Sequence, residues 1–336
     1  MEKDEIIIRN AVMHILNTNN SQLEFSDTLL DLSQDTYDFL RNHIYWIICS
    51  DDTKDCEFIR EESEVFNMVY GFIERNMISV SQQMAYKLFE IMIQNIDIPA
   101  ADLFVVTFQV DGLIQMAVLK MNYKESYIHS IEKGGYGISN KIRKQKATLP
   151  SMSSKLTEAA VINLHDYSLK VIERKYDING INTDYFSSVF LNCKAKLSTK
   201  TKLNIVTKAI DYINRKHFPN DFHKPMAAKS VIYQENLDSG GIQVEELADL
   251  LYGDDPEIHK EFSERLEKYD LQKEEVKPIT KATVSKFEKQ LLTTDQGIEI
   301  NIPMEQYLDP MNIAVINNPD GTMEVTIKNI NRITAR

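Results

Sequence analysis

Cysteine, glycine and tryptophan are scarce in this sequence: 3, 11 and 1 of 336 residues. Cys49, Cys56 and Cys193 are odd in number and form no Cys-x-x-Cys pair. That excludes a disulfide framework and a cysteine-rich structural zinc site, and leaves buried or incidental thiols. With so little glycine, no Gly-x-x-x-x-Gly-Lys-Ser/Thr loop is available to cradle a phosphate, and no Gly-x-Gly-x-x-Gly opens a helix. A Gly-x-Ser-x-Gly nucleophile turn is also missing. The seven histidines (14, 43, 129, 165, 217, 223 and 259) never recur at i, i+4, and there is no His-Glu-x-x-His. No cofactor and no enzymatic activity are expected from these absences.

Long apolar runs are lacking too. No stretch of about 18 residues is free of charge, so a membrane-spanning helix is excluded. The start, Met1-Glu2-Lys3-Asp4-Glu5, is acidic where a secretory signal is basic. The expected location is the cytoplasm, with no membrane partner. What is present is ordinary globular material, 43% hydrophobic and 26% charged. At this length two domains are expected.

The net charge of −12 argues against a nucleic-acid partner when taken as an average. The distribution argues otherwise. Residues 1–102 carry a net −12, residues 103–234 a net +10, and residues 235–336 a net −10. A basic middle between acidic ends can present separate fields of opposite sign. Two stretches concentrate the cations. One is Lys141-Ile142-Arg143-Lys144-Gln145-Lys146; the other runs from Lys194 to Lys229 and includes Lys200, Lys202, Lys208, Arg215 and Lys216. In an extended strand, Lys141 and Arg143 share one face, and Lys144 and Lys146 the other. That arrangement suits contact with a phosphate backbone and carries no base-reading signature.

Local patterns place these stretches on elements. Residues 5–16 and 23–32 read as strands, and Ser33 as the cap of a helix carrying Tyr37, Leu40, Ile44 and Ile47. Helices are expected over 62–75 and over 79–95, the latter capped by Ser79 or Ser81. Strands over 102–110 and 113–121 flank Asp111-Gly112, the strongest short hairpin signal. Residues 126–131 and 138–148 read as further extended segments around the turn Gly134-Gly135-Tyr136-Gly137, and 159–164 and 168–175 as another hairpin. Helical character follows at 184–191, from the cap candidate Ser198 to about His217, at 244–252 and at 256–269. The tail returns to strands at 297–302, 313–316 and 323–327. The fold class is therefore α+β. An N-terminal mixed domain with antiparallel sheet is expected over 1–178, and a mainly helical C-terminal domain with a terminal hairpin over 179–336.

Glu173-Arg174-Lys175, with Asp166 upstream, has the residue types of a Mg²⁺-dependent nuclease. The triplet is short and common, since Glu275-Val276-Lys277 repeats it.

Longer segments carry a family resemblance. Residues 6–16 resemble the opening strand, and Ile98-Pro99-Ala100-Ala101-Asp102-Leu103 the entry to the central strand, of the bacterial 37-kDa nucleoid-associated protein family, NdpA-like. Leu119-Lys120-Met121-Asn122-Tyr123-Lys124-Glu125-Ser126-Tyr127 is the most specific match. Leu149-Pro150 with residues 155–163, and Asp184-Tyr185-Phe186 with Phe190-Leu191-Asn192-Cys193, are similar as well. Ala100 and Ala101 replace the family's glycines, and residues 235–290 are less alike. The resemblance implies a nucleoid protein that binds double-stranded DNA, with type II topoisomerases (gyrase and topoisomerase IV) as partners and no established catalytic residues. An acidic topoisomerase adaptor with weak DNA affinity is the alternative it leaves open. A homodimer is compatible with the sequence, which does not fix the assembly. The candidate DNA-binding set is Lys120, Lys124, Lys141, Arg143, Lys144, Lys146, Lys200, Lys202, Lys208, Arg215 and Lys216.

Overall fold

The computed structural model describes every residue except Gly135, Tyr136, Asn220, Phe222, Ala335 and Arg336. The chain is α+β and divides into two compact units, Met1–Ser198 and Thr199–Arg336. The change of character at 178 falls inside the first unit. Tyr185, Phe186, Phe190 and Leu191, beyond that point, are wholly buried in its core.

The first unit is built on β1 (Ile7–Asn17), β2 (Gln22–Glu24), α1 (Gln34–Ile48), β3 (Lys54–Phe58), α2 (Glu64–Tyr70) and α3 (Met77–Gln94). There follow β4 (Ala101–Val110), β5 (Leu113–Asn122), β6 (Lys124–Gly134), β7 (Gly137–Thr148), β8 (Glu158–Asn163) and β9 (Ser168–Ile172). The unit closes with β10 (Tyr176–Ile178), β11 (Ile181–Thr183), a π-helix (Phe186–Leu191) and β12 (Cys193–Ala195). Eight strands make one antiparallel sheet in the order β12-β3-β9-β8-β5-β4-β1-β2.

The sheet is covered on both sides. Leu103 and Val105 of β4 enter a core shared with α2, α3 and the π-helix. Phe104, Val106 and Phe108, pointing the other way, enter a core shared with α1. Burial on both faces explains why β4 is apolar without alternation. The Asp111-Gly112 hairpin forms as expected, both residues at positive φ (50° and 79°). Ser33 caps α1 by accepting from the Thr36 amide.

Several boundaries differ from expectation. The strand expected over 23–32 stops at Glu24, where Ser26 closes a local turn on Thr28 and the backbone leaves the sheet. Helix 62–75 stops at Tyr70, before Gly71. α3 starts at Met77 rather than at a serine cap, and Ser81 lies buried within it. β12 and β3, the edge and near-edge strands, carry no clear alternating signal. Cys56 and Cys193 on them are buried free thiols. The Gly135-Tyr136 part of the expected turn lies outside the described residues.

The second unit comprises α4 (Thr199–His217), α5 (His223–Ser239), β13 (Ile242–Gln243), α6 (Val244–Tyr252), α7 (Pro256–Glu267), β14 (Glu275–Val276) and α8 (Lys281–Val284). It ends with β15 (Lys289–Thr293), β16 (Glu299–Pro303), α9 (Met304–Tyr307), β17 (Ile313–Asn317) and β18 (Met323–Ile327). β15–β16 and β17–β18 are hairpins. Leu203, Val206, Ile210 and Ile213 of α4 are buried, as their spacing predicts. α5 was not legible. Its buried residues, Met226, Ala228, Ser230, Ile232 and Tyr233, do not form a single stripe, because the helix is covered from more than one side. Among the described residues, no helix is long and apolar enough to cross a membrane.

Candidate nucleic-acid interface

β5 and β8 pair directly with one another, so the chain between them cannot enter the sheet. It leaves as a separate two-stranded ribbon, β6 with β7. Tyr127, Ile128, Ile131, Ile138 and Ile142 supply the branched and aromatic residues that favour strands. At about 3.3 Å per residue, eleven residues of β6 reach roughly 36 Å. Every residue from 138 to 147 is exposed. The ribbon from Lys124 to Thr148 carries six basic side chains and two acidic ones.

The register sorts these groups. Ile128 lies opposite Arg143, Ser130 opposite Lys141, and Glu132 opposite Ser139, all on one face. Tyr127 and Lys144, His129 and Ile142, Ile131 and Asn140, and Lys133 and Ile138 occupy the other. Lys141 and Arg143 thus share a face, with Lys144 on the reverse. A register shift between Lys124 and Ser126 places an extra residue on β7 between Gln145 and Thr148, which takes Lys146 out of strict alternation.

Ion pairs within the ribbon are exposed. Lys141 Nζ sits 2.6 Å and Arg143 Nη2 2.9 Å from the Glu132 carboxylate, and Lys144 Nζ sits 2.6 Å from Glu125. Hydrogen bonds from Lys141 and Arg143 hold the Glu132 carboxyl below its ordinary pKa. Such pairs are screened by water and exchange readily for another anion. Lys124, Lys133 and Lys146 are exposed and make no ion pair among the described residues. Lys133 lies beyond the extended segment expected over 126–131, but β6 continues to Gly134. That extension places Lys133 beside Ile138 near the ribbon's end.

Lys120 is a correction. It has no exposed surface and lies on the covered face of β5 with Met116 and Val118. Its Nζ is 3.1 Å from both Glu158 carboxylate oxygens and 2.5 Å from Asn122 Oδ1. Glu158 also accepts from Asn122 Nδ2 at 2.6 Å, from the Tyr176 hydroxyl at 3.1 Å and from the Tyr185 hydroxyl. Desolvation lowers the Lys120 pKa, against the pull of Glu158. A lysine so enclosed cannot reach a phosphate. It is part of a polar network that ties β5, β8, β10 and Tyr185, the residue just before the π-helix. Nearby, the Tyr123 hydroxyl donates to Asp102 at 2.7 Å, and burial raises the pKa of both groups.

The nuclease-like residues are not brought together. Asp166 closes the β8–β9 turn by accepting from the Ser168 amide and hydroxyl. Glu173 lies past the opposite end of β9, buried against Lys54 and Ser187. Lys175 faces Asp184 at 3.8 Å.

In the second unit, Lys200, Lys208 and Arg215 lie along one exposed side of α4. Lys202 and Lys216 are engaged elsewhere, with Glu274 at 2.5 Å and Glu261 at 2.8 Å. Arg265 stacks over the Tyr212 ring at 3.4 Å. Lys208 and Arg215 make no ion pair among the described residues. On α6, α7 and the turns around them, Glu245, Glu246, Asp249, Asp254, Asp255, Glu257, Glu264 and Glu267 are exposed.

No curated protein matches the chain. The family model described as NA37, nucleoid-associated protein YejK, matches residues 12–333, which takes in nearly all of both units, and the chain belongs to that family.

Proposed function

We propose that this nucleoid-associated protein binds double-stranded DNA electrostatically, with little sequence preference, and that the β6–β7 ribbon is its principal contact. The observation that carries this reading is the ribbon itself: six cations on an exposed, two-stranded element set apart from the sheet. Each lysine or arginine placed on a phosphate releases a condensed counterion, so the chemistry is ion exchange and not catalysis. A two-stranded ribbon also fits the width of a major groove. Lys200, Lys208 and Arg215 form a second, shorter cationic strip.

Fluorescence anisotropy of a labelled duplex, titrated at several salt concentrations, tests the reading. Five or so phosphate contacts give a slope of log K against log salt near −4 to −5. Replacing Lys141, Arg143, Lys144 and Lys146 with alanine should reduce that slope by about 3 to 4 and weaken all duplex sequences alike. A salt-independent affinity, or an unchanged slope in the variant, would refute it.

The exposed carboxylates of α6 and α7 favour a second reading, in which an acidic surface contacts a basic protein partner such as a type II topoisomerase subunit. Recovery of the subunit after exhaustive nuclease treatment, abolished by neutralising Glu245, Glu246 and Asp249, supports that reading. Recovery only while DNA is intact counts against it.

A further inference from the structure

The two faces of the ribbon differ in apolar content, which a purely electrostatic contact with DNA does not use. Tyr127, Ile131, Ile138 and Ile142 share one face and are 71%, 59%, 70% and 78% exposed. Among the described residues, the opposite face, with Lys141, Arg143 and Glu132, holds one large apolar side chain, Ile128. Across the ribbon Tyr127, Ile131, Ile138 and Ile142 stand opposite Lys144, Asn140, Lys133 and His129, so the apolar groups run as a diagonal zigzag with polar neighbours. Phosphates offer nothing to such exposed apolar groups, and a cluster of them marks a contact site. We infer that the apolar face is covered by the same face of a second copy of this chain, the two ribbons stacked antiparallel about a two-fold axis.

Three features support that occupant. First, edge-to-edge pairing through β7 is discouraged, because β7 is lysine-rich and bulged near Lys146, both devices that block strand addition. A face contact remains, at the spacing of about 10 Å usual for stacked sheets. Second, the charges favour one orientation. On this face Lys133 lies near the turn, and Glu125 with its partner Lys144 at the base. Antiparallel stacking sets Lys133 of each copy over the neutral Glu125–Lys144 pair of the other, within reach of its carboxylate, whereas parallel stacking sets Lys133 directly over Lys133. A two-fold contact repeats each such pair twice. Third, the area predicts the strength. A face of roughly 36 by 10 Å buries about 700 Å² over both copies, below the ~1,200 Å² of a standard interface, so the dimer is weak and concentration-dependent. The inference goes beyond the DNA reading and is tested without DNA. Where both hold, Lys133 and Lys144 lie in the seam of the dimer and contact DNA only in the monomer, while Lys141 and Arg143 point outward on opposite sides of the dimer, which can then join two duplexes.

Sedimentation velocity of the full chain, from about 1 to 200 μM, provides the test over the range expected of so small an interface. The weight-average sedimentation coefficient should rise toward that of a dimer at the upper end. The Ile131→Ser/Ile142→Ser variant, which alters exposed side chains only, should remain monomeric throughout with unchanged circular dichroism. Lys133→Glu should weaken the dimer several-fold, and adding Glu125→Lys should restore it. A monomer at every concentration overturns the inference, as does a dimer indifferent to the isoleucine substitutions. Absence of rescue by the charge swap overturns the antiparallel arrangement. A monomer whose isoleucine variant loses DNA affinity would assign the face to DNA instead.

Discussion

Acidification from pH 7 to pH 5 should destabilise the first unit by about 4 kcal/mol, through two histidines with no part in binding. His14 and His43 are 0% and 1% exposed, and burial lowers each ring from 6.5 to about 4. The Ser26 amide donates to His14 Nδ1 at 3.2 Å, which leaves the proton on Nε2, 2.9 Å from Ser81 Oγ. His43 packs edge-on against Phe39, and neither of its ring nitrogens has a hydrogen-bond partner among the described residues. Both rings are therefore neutral in the folded chain. Below pH 6.5 the unfolded chain gains a proton on each ring, and the folded chain does not until about pH 4, so stability falls as pH falls. At pH 5 each ring contributes a loss of about 2 kcal/mol relative to pH 7, from ~1.4 kcal/mol per pH unit. Asp102 acts with the opposite sign, since burial raises its carboxyl and acid favours its folded form. Trp46, the chain's single tryptophan, lies on α1 three residues from His43, so its fluorescence reports on this unit alone. With a urea m-value of about 2–3 kcal/mol/M, the Trp46 midpoint should drop by roughly 1.5–2 M between the two pH values. His43→Leu should remove about half of the drop. A midpoint shift below about 0.5 M, or a His43→Leu variant as pH-sensitive as the parent, would refute the assignment of buried neutral rings.

Two more outcomes follow from the same unit and the same fluorescence assay. Breaking the buried Lys120–Glu158 pair from one side should cost about 3–5 kcal/mol. Lys120→Met should sit at the low end, because Asn122, Tyr176 and Tyr185 still serve the carboxylate; Glu158→Leu should cost more, because it orphans those donors as well as the ammonium. A loss under about 1 kcal/mol in either variant would contradict the network, since an unpaired buried charge cannot be that cheap. Gly112→Ala should cost about 1 kcal/mol through backbone conformation alone, because Gly112 stands at φ 79° with nothing within 4 Å of an added Cβ. A neutral or stabilising result would mean that the turn relaxes without penalty.

Local signals were strong enough to place much of the molecule from the sequence. Asp111-Gly112 set the β4–β5 hairpin, since few residue pairs accept two positive φ angles in succession. The α4 stripe predicted which side of that helix is buried. The density of cations over 141–146 marked the ribbon, because charge is a property of the residues wherever the chain runs. Tertiary structure alone decided the rest. Lys120 and Lys124 stand four residues apart in one matching segment, yet one is sealed in the core and the other is exposed. The difference is that β5 is flanked by β4 and β8 and covered by helices, whereas the chain beyond Asn122 has left the sheet. The ribbon's isolation has the same origin: direct pairing of β5 with β8 expels everything between them. α5 likewise shows no stripe because several elements cover it. Periodicity records a single buried face, and neither a doubly covered strand nor a helix contacted from several sides has one. Which strand lies beside which is a matter of long-range burial that no local pattern encodes.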